Sequence, residues 1–102
     1  LTKVINIKNA PVGWENNPRY VYIGRVGKGQ SGYFGNPFKV GRGEPRGTTI
    51  DKFRKYFLER VKNDTEFKGR VGELHDKILV CFCSPRPCHG DVIAEFMNGS
   101  PP

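Results

Sequence analysis

With 102 residues, 36% of them hydrophobic, the chain has room for one compact domain and not for two. An aromatic share of 12% excludes a disordered, self-repelling chain, while 13 Gly and 8 Pro foretell long ordered loops. The net charge of +7 is uneven: eight Lys/Arg face two Glu in residues 1–50, and nine face eight Asp/Glu in residues 51–102.

Taken in chain order, Val4-Ile5-Asn6-Ile7 reads as a short strand, followed through residue 18 by a loop dense in turn residues that Trp14 is expected to anchor. Tyr20-Val21-Tyr22-Ile23 is aromatic and β-branched and stops at Gly24, the composition of a buried strand. Residues 24–47 hold eight glycines and two prolines, with Arg25, Lys28, Lys39, Arg42 and Arg46 opposed only by Glu44, and read as a long basic functional loop packed down by Tyr33, Phe34, Phe38 and Val40. Thr48-Thr49-Ile50-Asp51 gives a capping-box-like start to a helix predicted over 49–62, whose stripe is Ile50, Phe53, Phe57 and Val61. Phe67, Val71 and Leu74 predict a second short helix, weakened by Gly69 and Gly72. The apolar run at 77–83 reads as a parallel strand covered on both faces. Val92, Ile93, Phe96 and Met97 then predict a last helix, closed by Asn98-Gly99.

Strands alternating with helices imply an α/β fold: a small Rossmann-like domain with a mostly parallel sheet flanked by helices. The glycine-rich loop and the 84–89 loop both leave C-terminal strand ends, so both fall on the edge where open α/β sheets bind ligands. No apolar run approaches the roughly 20 residues of a membrane span, and the first residues lack a signal-peptide stretch. Three cysteines clustered within eight residues are a poor disulfide framework and fit a reducing compartment, so a soluble, cytoplasmic protein is expected.

Cys81-Phe82-Cys83-Ser84-Pro85-Arg86-Pro87-Cys88-His89-Gly90-Asp91 is the most specific stretch. Its thiols and imidazole suit zinc, but neighbouring Cys88 and His89 are expected to point apart and the spacing is not that of a zinc knuckle, so no metal and no cofactor is expected. Cys81 is read as a small buried hydrophobe. Cys88 and His89 open the last helix, where unpaired N–H groups favour an anion, and where Arg86 and the dipole also favour a thiolate. Asp91 there compensates the dipole or, in the rarer reading, acts as a general base. Gly24 to Gly47 resembles phosphate-cradling loops without matching their fingerprints. Asn36 reaches either a ligand or its own backbone. Tyr20, Tyr22, Tyr33 and Phe34 serve as base-stacking surfaces or as core, and His75 is assigned a local structural role.

Val21-Tyr22-Ile23-Gly24-Arg25, Gly35-Asn36-Pro37-Phe38-Lys39-Val40-Gly41, the helix near Thr49, and Cys81-x-Cys83 followed by Cys88-His89-Gly90-Asp91-Val92 together resemble the family of domain of unknown function 4326, found in phage and bacterial genomes. The resemblance covers residues 20–97, with 1–19 an added strand and loop and 98–102 a tail, all in one domain. It implies a Rossmann-like fold and nothing definite about activity. Lys28-Gly29-Gln30 departs from the pattern as a basic insertion.

The expected function is binding of a phosphorylated nucleotide-like ligand at the C-terminal edge of the sheet. The ligand set is Gly24, Arg25, Ser31, Asn36, Pro37, Phe38, Ser84, Arg86, His89 and Gly90, with Cys88, His89 and Asp91 the candidates for any catalysis. The alternatives are a non-enzymatic nucleic-acid-binding protein that uses the positive first half, and a small regulator that binds another protein. No membrane partner is expected, and the sequence does not identify an oligomeric state.

Overall fold

A computed structural model describes residues 1–24, 32–38, 46–82 and 88–99, the side chains of residues 46–48 excepted. Among the described residues, three strands, β1 (Lys3–Asn6), β2 (Tyr20–Tyr22) and β3 (Ile78–Cys81), form one sheet in the order β1-β3-β2. Both pairings are parallel, with Val4 and Val21 each opposite Leu79. Among the described residues, three α-helices pack with the sheet: α1 (Arg46–Asn63), α2 (Thr65–Gly72) and α3 (His89–Met97). The chain is therefore the small Rossmann-like α/β domain expected, with every described strand pair parallel.

β3 is the central strand, and Leu79, Val80 and Cys81 on it are buried. It ends two residues earlier than the apolar run. Its neighbours run out at Asn6 and Tyr22, and the Asn6 Nδ2 amide donates to the Phe82 carbonyl (3.2 Å), closing the ladder and leaving the Phe82 side chain exposed. Trp14 is buried behind Gly13, which has the left-handed φ of 83°, and its ring lies 6.5 Å from that of Tyr22. The 7–19 connection thus folds back on the sheet through one aromatic contact, as expected.

Helix α1 buries Phe53, Phe57 and Val61 and half-buries Ile50, while Lys52, Arg54, Lys55 and Glu59 face outward, which is the predicted stripe. It begins at Arg46 instead of residue 49, so Thr48 and Thr49 lie inside the first turns and do not form the expected cap. Thr49 is buried, and packing overrides its preference for a helix end.

Helix α2 forms despite its two glycines because Asp64 caps it, the carboxylate accepting from the Phe67 amide (3.1 Å), while Phe67 and Val71 enter the core. That amide bond, with the Arg60 guanidinium beside it, holds the Asp64 carboxyl below its ordinary value of 3.8. The sign follows: a lowered native value contributes stability that is complete above the ordinary value and lost as pH falls through the native one. Asp64→Asn keeps a capping oxygen without a titrating charge. In urea unfolding between about pH 5 and pH 2, the wild type should lose more midpoint than Asp64→Asn. Parallel curves would refute the assignment.

Arg60 joins these helices. It donates to the Tyr56 hydroxyl (2.7 Å) and lies 4.0 Å from the Phe67 ring centre and 5.4 Å from that of Tyr33. Residues 32–38 pack here: Gly35 N donates to the Gly32 carbonyl (2.9 Å), Tyr33 and Phe34 rest on Phe67, and Phe38 meets Tyr56 edge-on. Phe34 belongs to the core. The N-terminal strand is tied at its start by Thr2, whose hydroxyl donates to the Leu74 carbonyl (2.9 Å) and whose backbone exchanges two hydrogen bonds with Asn98. Among the described residues, no helix is long and apolar enough to cross a membrane.

Candidate functional site

Ile23 N donates to the Val80 carbonyl (3.0 Å), so residue 23 extends the ladder one step past β2 and presents its own carbonyl at the C-terminal edge of the sheet. His89, the first residue of α3, meets that carbonyl through Nε2 (2.5 Å). A carbonyl only accepts, so Nε2 carries the hydrogen and Nδ1 of the neutral ring is left as an acceptor. Nδ1 lies 3.6 Å from Cys88 Sγ. The ring also stands edge-on to Phe53, centres 5.1 Å apart, and is 7% exposed.

Cys88 is the N-cap of α3, in extended backbone, and its sulfur accepts from the Gly90 amide (3.4 Å). Asp91 completes a capping box, its carboxylate accepting from Cys88 N (3.0 Å). Cys81, buried at the end of β3 as expected, brings its Sγ to 3.3 Å from that of Cys88. Cys88 and His89 therefore do not point apart. The extended cap residue turns its side chain back over the first helical turn, where the imidazole of the next residue lies, and the two functional atoms converge.

Gly24 and Gly90 belong to the same edge for steric reasons. A Cβ on Gly24 would overlap the Tyr22 hydroxyl, and one on Gly90 would stand 2.5 Å from Ile23 Cδ1 and 3.2 Å from Val4 Cγ1. The glycines let Tyr22 fold over the end of β2 and let α3 seat its first turn on the sheet. Phe82, one residue past β3, projects from this edge 56% exposed, with its ring 6.1 Å from Tyr22 and edge-on to it. Sequence patterning hid Phe82 inside an apolar run. The signal that could have found it is strand alternation, which puts it on the face opposite Cys81 just where the turn residues begin.

Gly24, Cys88, His89, Gly90 and Asp91 are thus brought together. The Asn36 side-chain oxygen accepts from Phe38 N (2.9 Å), a local contact. Pro37 is exposed beside it, and Phe38 is linked to the His89 ring through Tyr56 and Phe53. Arg25, Ser31, Ser84 and Arg86, with Cys83, lie outside the described residues. Among the described residues, no group of three or more His, Cys, Asp or Glu side chains is arranged to hold a metal ion. His75 sits at the other end of the sheet, 3.3 Å from the Asp76 carboxylate, and takes no part in this site.

The arrangement offers a backbone-oriented imidazole whose second ring nitrogen faces a thiol, at a helix N-terminus. The chain is similar to the "Uncharacterized 12.4 kDa protein in nrdA-td intergenic region" of Enterobacteria phage T4, 40% identical over 53 residues, which is 52% of this chain. It spans about half the length, 49%, of that curated relative. No solved structure matches it. The family model described as Domain of unknown function (DUF4326) matches residues 5–99, a span that includes all three strands from Ile5 onward, the three helices and the whole Cys81-to-Asp91 site, and the chain belongs to that family.

Proposed function

We propose that the domain binds a phosphorylated nucleotide-like ligand at the C-terminal edge of its sheet. The observation that carries this reading is that Phe82, exposed and braced by Tyr22, and the glycine-backed N-terminus of α3 both lie at the C-terminal edge of the sheet. A flat aromatic face suits a base, a helix N-terminus suits a phosphate, and the surplus of positive charge in residues 1–50 raises the local concentration of such anions. Arg25 and Arg86, which flank Gly24 and Cys88 in sequence, are the phosphate partners in this reading. Turnover of the ligand, by cleavage or transfer at a nucleoside or phosphate ester, would fall to Cys88 and His89, with Asp91 holding the cap that orients them.

The test is calorimetric titration with nucleoside mono-, di- and triphosphates beside single- and double-stranded oligonucleotides over a salt series. A mononucleotide should bind with weak salt dependence. Phe82→Ala should weaken it roughly five- to 150-fold, the equivalent of about 1–3 kcal/mol of base stacking, with an unchanged unfolding midpoint because the ring is mostly exposed. Binding of oligonucleotides alone, falling steeply with salt, would replace this reading with nucleic-acid binding. No binding of either would remove both and leave a protein partner.

A further inference from the structure

Outside any ligand role, the site contains two buried thiols in contact: Cys81 and Cys88, each 1% exposed, with sulfurs 3.3 Å apart. We propose that they form a peroxide-oxidisable dithiol pair, in which Cys88 attacks, His89 accepts its proton and Cys81 resolves the intermediate as a disulfide. This proposal stands independently of the nucleotide reading, since it needs only the geometry of these three side chains.

The two sulfurs are not equivalent. Cys88 Sγ accepts the Gly90 amide at the helix N-terminus and faces the His89 nitrogen that carries no hydrogen in the neutral ring. Both contacts favour the thiolate and give its proton a destination. Cys81 Sγ lacks the helix position but is buried at the end of the central strand. A disulfide places its sulfurs about 2.05 Å apart, so the 3.3 Å separation must close by about 1.2 Å, a movement that the Cys88 side chain makes at the cost of its contact with the Gly90 amide. Burial of both thiols selects the oxidant: hydrogen peroxide, little larger than water, can reach them by local opening where a bulky disulfide cannot.

The chemistry balances. Cys88 gives its proton to His89 Nδ1, and the thiolate attacks one oxygen of hydrogen peroxide; a sulfur–oxygen bond forms, the oxygen–oxygen bond breaks, and the leaving hydroxide takes the proton from His89 to become water. Cys81 then attacks the sulfenic sulfur of Cys88. The sulfur–sulfur bond forms, the sulfur–oxygen bond breaks, and the departing hydroxide leaves with the Cys81 proton as a second water. Two thiols lose two electrons together, and one peroxide is reduced to two waters.

The experiment uses Cys83→Ser protein, which removes the third thiol of the chain. It is treated with hydrogen peroxide while folded, quenched, denatured, alkylated and weighed. The expected product is lighter by two hydrogen atoms and takes no alkyl group, and dithiothreitol restores two alkylation sites. In the same background His89→Gln, which lacks an acceptor at the Nδ1 position, should slow disulfide formation by roughly tenfold or more. Two alkylatable thiols after peroxide, a sulfinic Cys88 beside an unmodified Cys81, or oxidation blocked by a zinc ion carried by the native protein would each overturn the proposal. If Cys83→Ser does not fold, fragment-ion mapping of the peroxide-treated wild type decides it: a Cys81–Cys88 link supports the proposal, and a link to Cys83 overturns it.

Discussion

His89→Ala should cost the fold roughly 2–4 kcal/mol, far more than an exposed histidine at a helix start would. The side chain is 7% exposed, so its removal has two separable consequences. The Ile23 carbonyl, at a position that is itself wholly buried, loses the Nε2–H that satisfies it, and an unsatisfied buried acceptor costs about 1–3 kcal/mol. The space against Phe53 then either stays open or collapses, which adds a cavity contribution of the same order. Glutamine separates the two roles of the ring. Its side-chain amide reaches the position of Nε2 and can donate to Ile23, while nothing of it occupies the place of Nδ1 beside Cys88. In denaturant titrations with matched m-values, His89→Gln should therefore recover at least half of the stability that His89→Ala loses. A loss below about 1 kcal/mol for His89→Ala would mean that the Ile23 bond does not hold α3 to the sheet.

This bond also shows where the sequence stopped being informative. The strands were legible because Val21-Tyr22-Ile23 and Ile78-Leu79-Val80 combine β-branched and apolar residues between turn signals, and α1 because Phe53, Phe57 and Val61 recur at helical spacing. Cys88, His89 and Gly90 were legible as a site because their residue types are rare together. Their geometry was not, because the group that orients His89 is a main-chain carbonyl, and every residue carries one. The same holds for the edge of the sheet. That β3 stops at Cys81 depends on where β1 and β2 run out, a property of the pairing and not of the apolar run, and the exposure of Phe82 follows from it. Arg60 counted as one more charge on a helix face. Its contacts with Tyr33, Tyr56 and Phe67 arise from tertiary packing that no helical periodicity encodes. Likewise the start of α1 at Arg46 runs against the capping preference of Thr48 and Thr49, because local propensity is the weaker effect once a helix packs along its length.

Gly90→Ala should be destabilising by about 1–2 kcal/mol, although a glycine-to-alanine change within a helix ordinarily stabilises. Two effects of opposite sign compete at this position. Alanine lowers the conformational entropy of the unfolded chain and has the higher helix propensity, a gain of roughly 0.5–1 kcal/mol. Against it stands the added methyl group, 2.5 Å from Ile23 Cδ1 and 3.2 Å from Val4 Cγ1. The Ile23 atom is the tip of a side chain, but Ile23 is fully enclosed and has no direction in which to withdraw without disturbing the core, and Val4 sits on β1 in register with Leu79 of the central strand. Overpacking of this kind costs about 1–3 kcal/mol and exceeds the propensity gain. Gly69 supplies the control. It lies on the exposed face of α2, a Cβ there meets nothing within 4 Å, and Gly69→Ala should raise stability by about 0.5–1 kcal/mol. Because both substitutions are chemically identical and both are helical, a difference in sign between them isolates the contact of α3 with the sheet edge. If Gly90→Ala proves as stabilising as Gly69→Ala, the first turn of α3 is not seated on Ile23 and Val4, and the convergence of Cys88, His89 and the Ile23 carbonyl fails with it.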